Sequence, residues 1–285
     1  MRHAILILGH KTDNGSLQSL VNVLDGYDFD FYIHWDASEK ELPIIKSRFS
    51  RIDILTNRVS AAWGTSSLIE AEMLLFRASF NIGYDYYHLI SADDFLMMDK
   101  AHFISFFKKH EGYEFVGFDN NAPHESLMNR VQYYHPLMNV KINRKIRLML
   151  IDATIYLQSK IIKYRKEVCL KLYKGSQWFS ITNQAMKAIL ESDLNMFNNS
   201  VLVDEMFVQT ILKSKSSDLK LKFYHSGDEM VNSARFIDWK RGNPHLFSKN
   251  ELMEVFKNVN TNYVFGRKGE YELIDEINKM LLQSK

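Results

Sequence analysis

The chain has few of the residues that stabilise secreted proteins or that interrupt secondary structure. Its 285 residues include one cysteine, Cys169, so no internal disulfide can form, which is typical of proteins made for a reducing compartment. Four prolines and no low-complexity linker leave at most a soft domain boundary. No apolar run approaches the ~18 residues that span a bilayer, and the first, residues 4–8, is too short for a signal peptide. These absences predict one compact domain in the cytoplasm.

Basic residues are concentrated in one segment. Residues 141–174 contain ten Lys and Arg against two Asp and Glu, whereas the rest of the chain has 26 basic and 32 acidic side chains. Two interpretations remain open, a solvated helix face and a surface that contacts anionic lipid or a charged glycan. No recognisable nucleic-acid-binding module accompanies the basic residues, so no nucleic-acid partner is predicted.

Hydrophobic patterns alternate between strand and helix and predict an α/β fold. In the first half, strands are predicted at 3–9, 28–35, 52–55, 85–91 and 114–118, and helices at 15–25, 66–80 and 100–109. From about residue 140 the basic segment is predicted to be helical. Beyond it, strands are predicted at 177–182, 219–224 and 234–238, and helices at 183–190, 204–212, 249–257 and 268–283.

Polar residues follow three of the predicted strands, and open α/β sheets bind ligands at such strand ends. Gly9 and His10 follow the first strand, Asp36 the second, and Asp93 with Asp94 the fourth. Neither GxGxxG nor GxxxxGK[ST] occurs, which disfavours a dinucleotide fold and a P-loop. Asp36 fits either the N-cap of a following helix, which the sequence alone favours, or an acceptor for a nucleobase N–H.

The adjacent acids Asp93 and Asp94 are the obvious metal candidate, because Mg²⁺ and Mn²⁺ prefer oxygen ligands. However, neighbouring side chains on extended backbone point to opposite sides. A structural turn or accepted hydrogen bonds are therefore favoured over a shared ion, and neither a metal nor a cofactor is predicted.

A second acidic pair, Asp204 and Glu205, opens a predicted helix. Such a pair is often only a helix cap, stabilised by the helix dipole. Alternatively, Glu205 is a general base that takes a proton from an acceptor hydroxyl.

Cations and aromatic rings flank this pair. Arg235 and Lys249, with Arg241 between them as a substitute for either, are either surface charge or the groups that neutralise a departing diphosphate. Trp63, Trp178 and Trp239 are either core aromatics or sugar platforms, and Trp178, after Gly175-Ser176, is the best platform candidate. A carboxylate, cations and an aromatic face are the parts needed to move a sugar from a nucleotide diphosphate to a hydroxyl without a metal.

Taken in order, these blocks resemble the core-2/I-branching N-acetylglucosaminyltransferase and xylosyltransferase family, glycosyltransferase family 14. The matching segments are 33–40, 58–64, 84–95, 174–182, 203–212 and 235–249. The resemblance implies a variant GT-A fold, with a mixed central sheet flanked by helices, and inverting, metal-independent transfer from a UDP-sugar, commonly UDP-N-acetylglucosamine. It implies one domain with a nucleotide-binding half at 1–120, the basic helical insert at 140–174, and an acceptor- and diphosphate-binding half at 175–285.

The resemblance also implies roles for individual residues. Glu205 is expected to be the catalytic base, and Asp36 the uracil contact, with Gly9 and His10 nearby. Arg235 and Lys249 are expected to hold the diphosphate, with Arg241 as their substitute. The sugar- and acceptor-binding wall is expected to include Trp63, Asp93, Asp94, Arg130, Ser176, Gln177, Trp178 and Asp204.

The chain lacks the anchor, stem and disulfides of the animal members. It therefore resembles a bacterial, cytoplasmic relative that builds capsule, exopolysaccharide or lipopolysaccharide on a glycan or lipid-linked glycan acceptor. The insert at 141–174 is expected to bring it to the inner face of the membrane. Two alternatives stay open, a metal-dependent transferase that uses Asp93 and Asp94, and a non-catalytic glycan-binding protein.

Overall fold

The computed structural model describes residues 1–11, 15–135 and 143–283, so residues 140–142 of the predicted insert lie outside it. The strands are β1 (His3–Gly9), β2 (Phe29–Trp35), β3 (Ile52–Ile54), β4 (Tyr86–Ser91), β5 (Phe95–Leu96), β6 (Tyr113–Glu114), β7 (Ser180–Thr182), β8 (Lys222–Phe223), β9 (Arg235–Ile237) and β10 (Phe265–Arg267). The α-helices are α1 (Ser16–Leu24), α2 (Ser67–Phe80), α3 (Lys100–Lys109), α4 (His124–Val131), α5 (Arg144–Tyr156), α6 (Asn183–Leu190), α7 (Phe207–Leu219), α8 (Glu229–Asn232), α9 (Leu252–Phe256) and α10 (Tyr271–Gln283). A π-helical segment, Leu157–Ile162, continues α5, and two short 3₁₀ turns span Asn195–Phe197 and Lys249–Glu251.

A five-stranded sheet in the order β3-β2-β1-β4-β7 forms the centre of the fold. Its first four strands are parallel and β7 runs antiparallel to β4. In this register Gly9 lies opposite Trp35, and Leu8 opposite Ser91. The carboxyl ends of β1, β2 and β4 therefore meet at one edge of the sheet, together with the polar residues that follow them.

Apolar residues on both faces of the sheet bury it between two layers of helices. In β1, Ile5 and Ile7 pack into one core with side chains of α1, α3 and α10. Ala4 and Leu6 pack on the opposite face with side chains of α2, α6 and α7. Strands covered on both faces read as continuous apolar runs, and β1 does.

Two smaller sheets extend the frame. The first has the order β5-β10-β9, with β10 antiparallel to β5 and parallel to β9. The second pairs β6 with β8 in parallel. The three-stranded sheet brings the segments after residues 235 and 265 to the edge where β1, β2 and β4 end.

The predicted mixed α/β sheet flanked by helices is confirmed, while several predicted elements are shorter. The helix predicted at 204–212 begins only at Phe207, because Asp204 and Glu205 lie in the preceding turn. The strand predicted at 114–118 is reduced to β6 followed by a single bridge from Phe115 to Ser180. The sequence pattern predicted none of β5, β10, α4 and α8.

The basic insert is helical over α5 and the π-helical segment and irregular from residue 163 to residue 179. Among the described residues, no helix is long and apolar enough to cross a membrane.

Candidate active site

A cavity of about 1430 Å³ opens at the edge where the three strand ends meet. The first loop (Gly9 and His10), Asp36, and Asp93 all contribute to its wall, as strand-end geometry predicts. The other predicted residues on this wall are Trp63, Ser176, Gln177, Trp178, Asp204, Glu205 and Arg241. Four predicted residues, Asp94, Arg130, Arg235 and Lys249, are not on it.

The glycine that ends β1 lets two strands approach closely. A Cβ atom at Gly9 would lie 2.1 Å from the ring of Trp35, so no larger side chain fits there without displacing that ring. His10 follows directly at the cavity wall. Burial lowers the pKa of His10, and the nearby Asp93 carboxylate opposes that shift. The predicted grouping of Gly9, His10 and Asp36 thus corresponds to one corner of the cavity.

Asp36 organises the loop after β2, and no helix begins there. Its carboxylate accepts hydrogen bonds from the backbone N–H groups of Ser38 and Ala61, each at 2.8 Å. The alternative that Asp36 caps a following helix is therefore wrong: it closes an Asx-type turn and ties this loop to residue 61. The side chain is buried at the cavity wall with both oxygens engaged.

The acidic pair at the end of β4 is neutralised by two cations from the end of β10. Arg267 lies 2.6 Å from Asp94, and Lys268 lies 3.1 Å from Asp93. Asp94 also accepts hydrogen bonds from the backbone N–H and the hydroxyl of Ser91, both at 2.9 Å. This carboxylate is fully enclosed. The geometry matches the predicted turn with accepted hydrogen bonds.

The same donor set does not suit a divalent cation. Asp94 already uses its oxygens on Arg267 and Ser91, and Asp93 faces an ammonium group. Within residues 1–11, 15–135 and 143–283, no three or more His, Cys, Asp or Glu side chains are grouped to hold a metal ion.

Trp178 lies at the cavity wall, but one face of its ring is covered. The guanidinium of Arg267 stacks over the ring, with its carbon 4.1 Å from the ring centroid, and the side chain is buried. Arg267 covers one face of the ring, so the sugar platform predicted at Trp178 stays a prediction for the rest of the ring. Trp63 and Trp239 are about half exposed and line the same cavity.

Glu205 is a partly exposed carboxylate on the cavity wall. It lies 3.4 Å from Arg130 and 3.7 Å from Lys174, and Lys174 also lies 3.4 Å from Asp119. The predicted residue Arg130 therefore acts on the site through Glu205. The backbone carbonyl of Glu205 accepts a hydrogen bond from the N–H of Gly175 at 2.9 Å, which joins the turn of the acidic pair to the 174–178 loop.

Gly175 fixes how that loop packs. A Cβ atom there would lie 1.9 Å from the carbonyl oxygen of Gly117. Next along the loop, the carbonyl of Ser176 accepts a hydrogen bond from Gln209 at 2.7 Å. Close backbone packing and α7 together hold Lys174, Ser176 and Gln177 at the cavity wall.

Two buried acids lie beside Glu205. Burial and then the Glu205 carboxylate raise the pKa of Asp204 to about 7. Burial raises the pKa of Glu72 well above its usual value, and its hydrogen bond from Gln177 at 2.7 Å offsets only part of that shift. Within the described residues, one oxygen of each carboxyl has no hydrogen-bond partner. A proton held on such a group lowers the cost of burying it.

Arg235 is a core residue and not part of the cavity wall. Its guanidinium donates hydrogen bonds to the carbonyls of Phe179 at 2.6 Å and Leu89 at 3.2 Å, and to the hydroxyl of Ser180 at 3.2 Å. Burial lowers the pKa of Arg235 to about 9, which still leaves it charged at neutral pH. The position therefore does not support the predicted contact between Arg235 and a diphosphate.

The remaining predicted cations differ from each other. Lys249 is exposed away from the cavity and lies 3.1 Å from Glu276 on α10, so its predicted role in diphosphate binding has no support from its position. Arg241 does line the cavity, where it forms ion pairs with Asp238, Glu251 and Glu254.

Sequence reasoning missed Arg267, Lys268 and Lys174 as lining residues. The signal for the first two was available, because a short apolar run, residues 263–266, is followed at once by two cations. Lys174 directly precedes Gly175, but the sequence analysis assigned it to the basic insert.

Comparison with protein families agrees with this geometry. A family model described as Branch, Core-2/I-Branching enzyme, matches residues 4–264 of the 285-residue chain. No curated protein matches the chain.

Proposed function

The chain belongs to the core-2/I-branching enzyme family, whose members are glycosyltransferases, and on that premise we propose that it transfers a sugar from UDP to a glycan hydroxyl. One observation carries the proposal. A single cavity holds a partly exposed carboxylate, Glu205, with two cations beside it, and a second pair of cations, Arg267 and Lys268, at the end of β10. A base and a charge-neutralising group on one wall are what a direct displacement at a sugar diphosphate requires.

In the proposed reaction, the Glu205 carboxylate takes the proton of the acceptor hydroxyl. The acceptor oxygen forms a bond to the anomeric carbon while the bond from that carbon to the diphosphate oxygen breaks. A single displacement inverts the anomeric configuration, as in inverting glycosidases. The electron pair of the broken bond leaves with UDP, whose growing negative charge is met by the side chains of Lys268, Arg267 and Arg241.

Metal independence is part of the proposal. The carboxylates that bind a metal in other transferases are here Asp93 and Asp94, and each is already paired with a cation. When a donor diphosphate approaches, the positive groups it meets are those of the protein. A divalent ion would have to displace Lys268 and Arg267 before it could be bound by both acids.

The nucleotide is proposed to lie in the corner formed by Gly9, His10 and Asp36. We propose N-acetylglucosamine as the donor sugar, and synthesis of a bacterial surface polysaccharide on a glycan or lipid-linked glycan at the inner face of the membrane. Trp63 and Trp239 are proposed to contact sugars, because both are half exposed on the cavity wall.

Replacement of Glu205 by Gln tests the base. It keeps the shape of the side chain and removes the proton acceptor, so we expect transfer to fall by roughly 10²- to 10⁴-fold, with UDP affinity nearly unchanged. UDP release from a panel of UDP-sugars measures the rate of transfer, and calorimetric titration with UDP measures UDP affinity. Glu191→Gln is the matched control, because Glu191 is exposed outside the cavity and should keep full activity.

Three outcomes would contradict the proposal in different ways. Retained turnover in Glu205→Gln would show that the base is another group. Loss of activity in excess EDTA, with recovery on adding Mn²⁺, would favour the metal-dependent alternative at Asp93 and Asp94. No binding of UDP at all would favour a non-catalytic glycan-binding protein.

A further inference from the structure

The helix that begins the basic insert and the π-helical segment after it bury two polar side chains and expose several large apolar ones. Arg147 and Gln158 are buried, and Gln158 both donates to and accepts from the backbone of Tyr134, at 2.7 and 2.8 Å. By contrast, Met149 is 70% exposed and Tyr156 63% exposed. Surface helices of soluble proteins place their apolar stripe inward.

Exposed apolar side chains recur along this helix and the segment that follows it. We call this set the outer face of the insert. Its members are Ile146, Leu148, Met149, Tyr156, Leu157, Ile161, Ile162 and Tyr164. Large apolar side chains that gather on a protein surface mark a site of interaction.

Exposed cations are interspersed along the same segment. Lys145, Lys160, Lys163 and Arg165 are exposed, and none of them forms an ion pair with a carboxylate in the part of the chain that the structure describes. Between residues 143 and 174 the sequence has nine Lys and Arg against two Asp and Glu. The outer face therefore combines apolar side chains with uncompensated positive charge.

This combination selects the partner. A second copy of the chain would bring two strongly positive faces together, which like-charge repulsion disfavours. A bilayer that contains anionic lipid accepts both features, because apolar side chains enter the boundary between headgroups and acyl chains while Lys and Arg reach the phosphates. Tyrosine is also enriched at that boundary. We infer that α5 and the following π-helical segment lie flat on an anionic membrane surface through the outer face of the insert.

The buried side of this helix connects it to the catalytic base. Ile151 packs against Val201, and the N–H of Val201 donates to the carbonyl of Arg130 at 3.1 Å. Arg130 in turn contacts Glu205. The next step alone rests on the proposed function. If that function holds, the acceptor hydroxyl belongs to a glycan carried on a lipid in the same membrane.

Vesicle binding tests the inference. The full-length protein is sedimented with vesicles of phosphatidylcholine alone and of phosphatidylcholine mixed with phosphatidylglycerol. We expect binding to the anionic vesicles only. Replacing Lys145, Lys160 and Lys163 by Gln should weaken it roughly a hundredfold, because each lysine near an anionic surface contributes about 1 kcal/mol.

The apolar side chains are tested separately. A variant with Met149→Ser, Tyr156→Ser and Ile161→Ser should lose the binding that remains at high salt, where the electrostatic part is screened. Ile44→Ser and Lys108→Gln with Lys109→Gln are the matched controls, since these exposed residues lie outside the insert, and they should bind as wild type does. The chain's one cysteine, Cys169, is exposed, so a polarity-sensitive dye there gives a second readout from the insert.

The results separate the two proposals. The membrane inference would be overturned by equal binding to both vesicle types or by no binding. It would also be overturned if the control variants lost as much vesicle binding as the insert variants. A dimer that the insert variants convert to a monomer would overturn it too. Glu205→Gln should bind vesicles as wild type does. If wild type binds anionic vesicles but transfers no sugar, the proposed function fails while the membrane inference stands.

Discussion

The two acidic pairs of this chain, Asp93-Asp94 and Asp204-Glu205, look alike in sequence and differ in their surroundings. Asp93 and Asp94 each face a cation from the end of β10, and Asp94 is fully enclosed with Ser91 and Arg267. Asp204 is buried beside Glu205, and its charge helps to raise the pKa of another buried acid, Glu72. The Glu205 side chain is partly exposed toward the cavity and lies within ion-pair distance of Arg130 and Lys174. Neighbours, and not residue type, enclose Asp94 in the frame of the protein and leave Glu205, the proposed base, open to the cavity.

The largest expected effect that separates the pairs is on stability. Asp94→Asn leaves the Arg267 guanidinium buried without its counter-charge, so we expect it to lower the free energy of unfolding by about 3–5 kcal/mol. Asp204→Asn removes a buried carboxyl that has no cation of its own, and it should not destabilise the protein at neutral pH. Urea unfolding monitored by circular dichroism measures both. Equal losses of stability in Asp94→Asn and Asp204→Asn would contradict the proposed difference between the two acidic pairs.

A second, smaller effect concerns the pH dependence of stability. Because the pKa of Asp204 is raised to about 7, the folded protein holds a proton between about pH 4 and pH 7 that the unfolded chain has already released. This contribution makes the wild type less stable as pH rises through that window. We expect Asp204→Asn to gain roughly 1–4 kcal/mol relative to wild type between those pH values. A difference between the two unfolding curves that does not change with pH would contradict this.

Another buried acid gives a control for that experiment. Burial raises the pKa of Glu114 to about 7, and it accepts two hydrogen bonds from Thr182 outside the cavity. Glu114→Gln should therefore remove a similar dependence of stability on pH, while sugar transfer is unaffected.

The smallest expected effect is on UDP affinity. It tests whether the cations that pair with Asp93 and Asp94 also contact phosphate. Lys268→Gln removes a positive charge from the cavity wall, so UDP should bind roughly tenfold more weakly, about 1.4 kcal/mol. Lys249→Gln removes an equivalent charge from the exposed pair with Glu276 and should leave UDP affinity unchanged. Calorimetric titration with UDP measures both. A larger loss of UDP affinity in Lys249→Gln than in Lys268→Gln would restore the diphosphate-binding role that the sequence predicted for Lys249.

The central sheet could be predicted because its strands are buried on both faces and leave an unbroken apolar run. The polar residues that follow β1, β2 and β4 could then be grouped from topology alone. The three-residue strand β10 left a much weaker signal, because the run at residues 263–266 is short and ends in Gly266, where a Cβ atom would lie 2.2 Å from the ring of Phe95. Missing that strand also meant missing Arg267 and Lys268.

The assignment of Arg235 shows why a charged residue in a suggestive motif is weak evidence. Arginine near a proposed diphosphate site is expected on chemical grounds, but whether it faces the cavity depends on tertiary packing. The carbonyls that receive its hydrogen bonds come from β4 and from the residue before β7, far away in sequence. No local pattern encodes that arrangement.

Arg235 has a consequence for how substrates enter. It extends from β9 in the three-stranded sheet and is bonded to the backbone of the five-stranded sheet and to the hydroxyl of Ser180. Separating the two sheets would break the hydrogen bonds from a charged donor to Leu89, Phe179 and Ser180 together. Hinge opening between the sheets is therefore resisted, and we expect donor and acceptor to be admitted by movement of loops at the rim of a rigid frame.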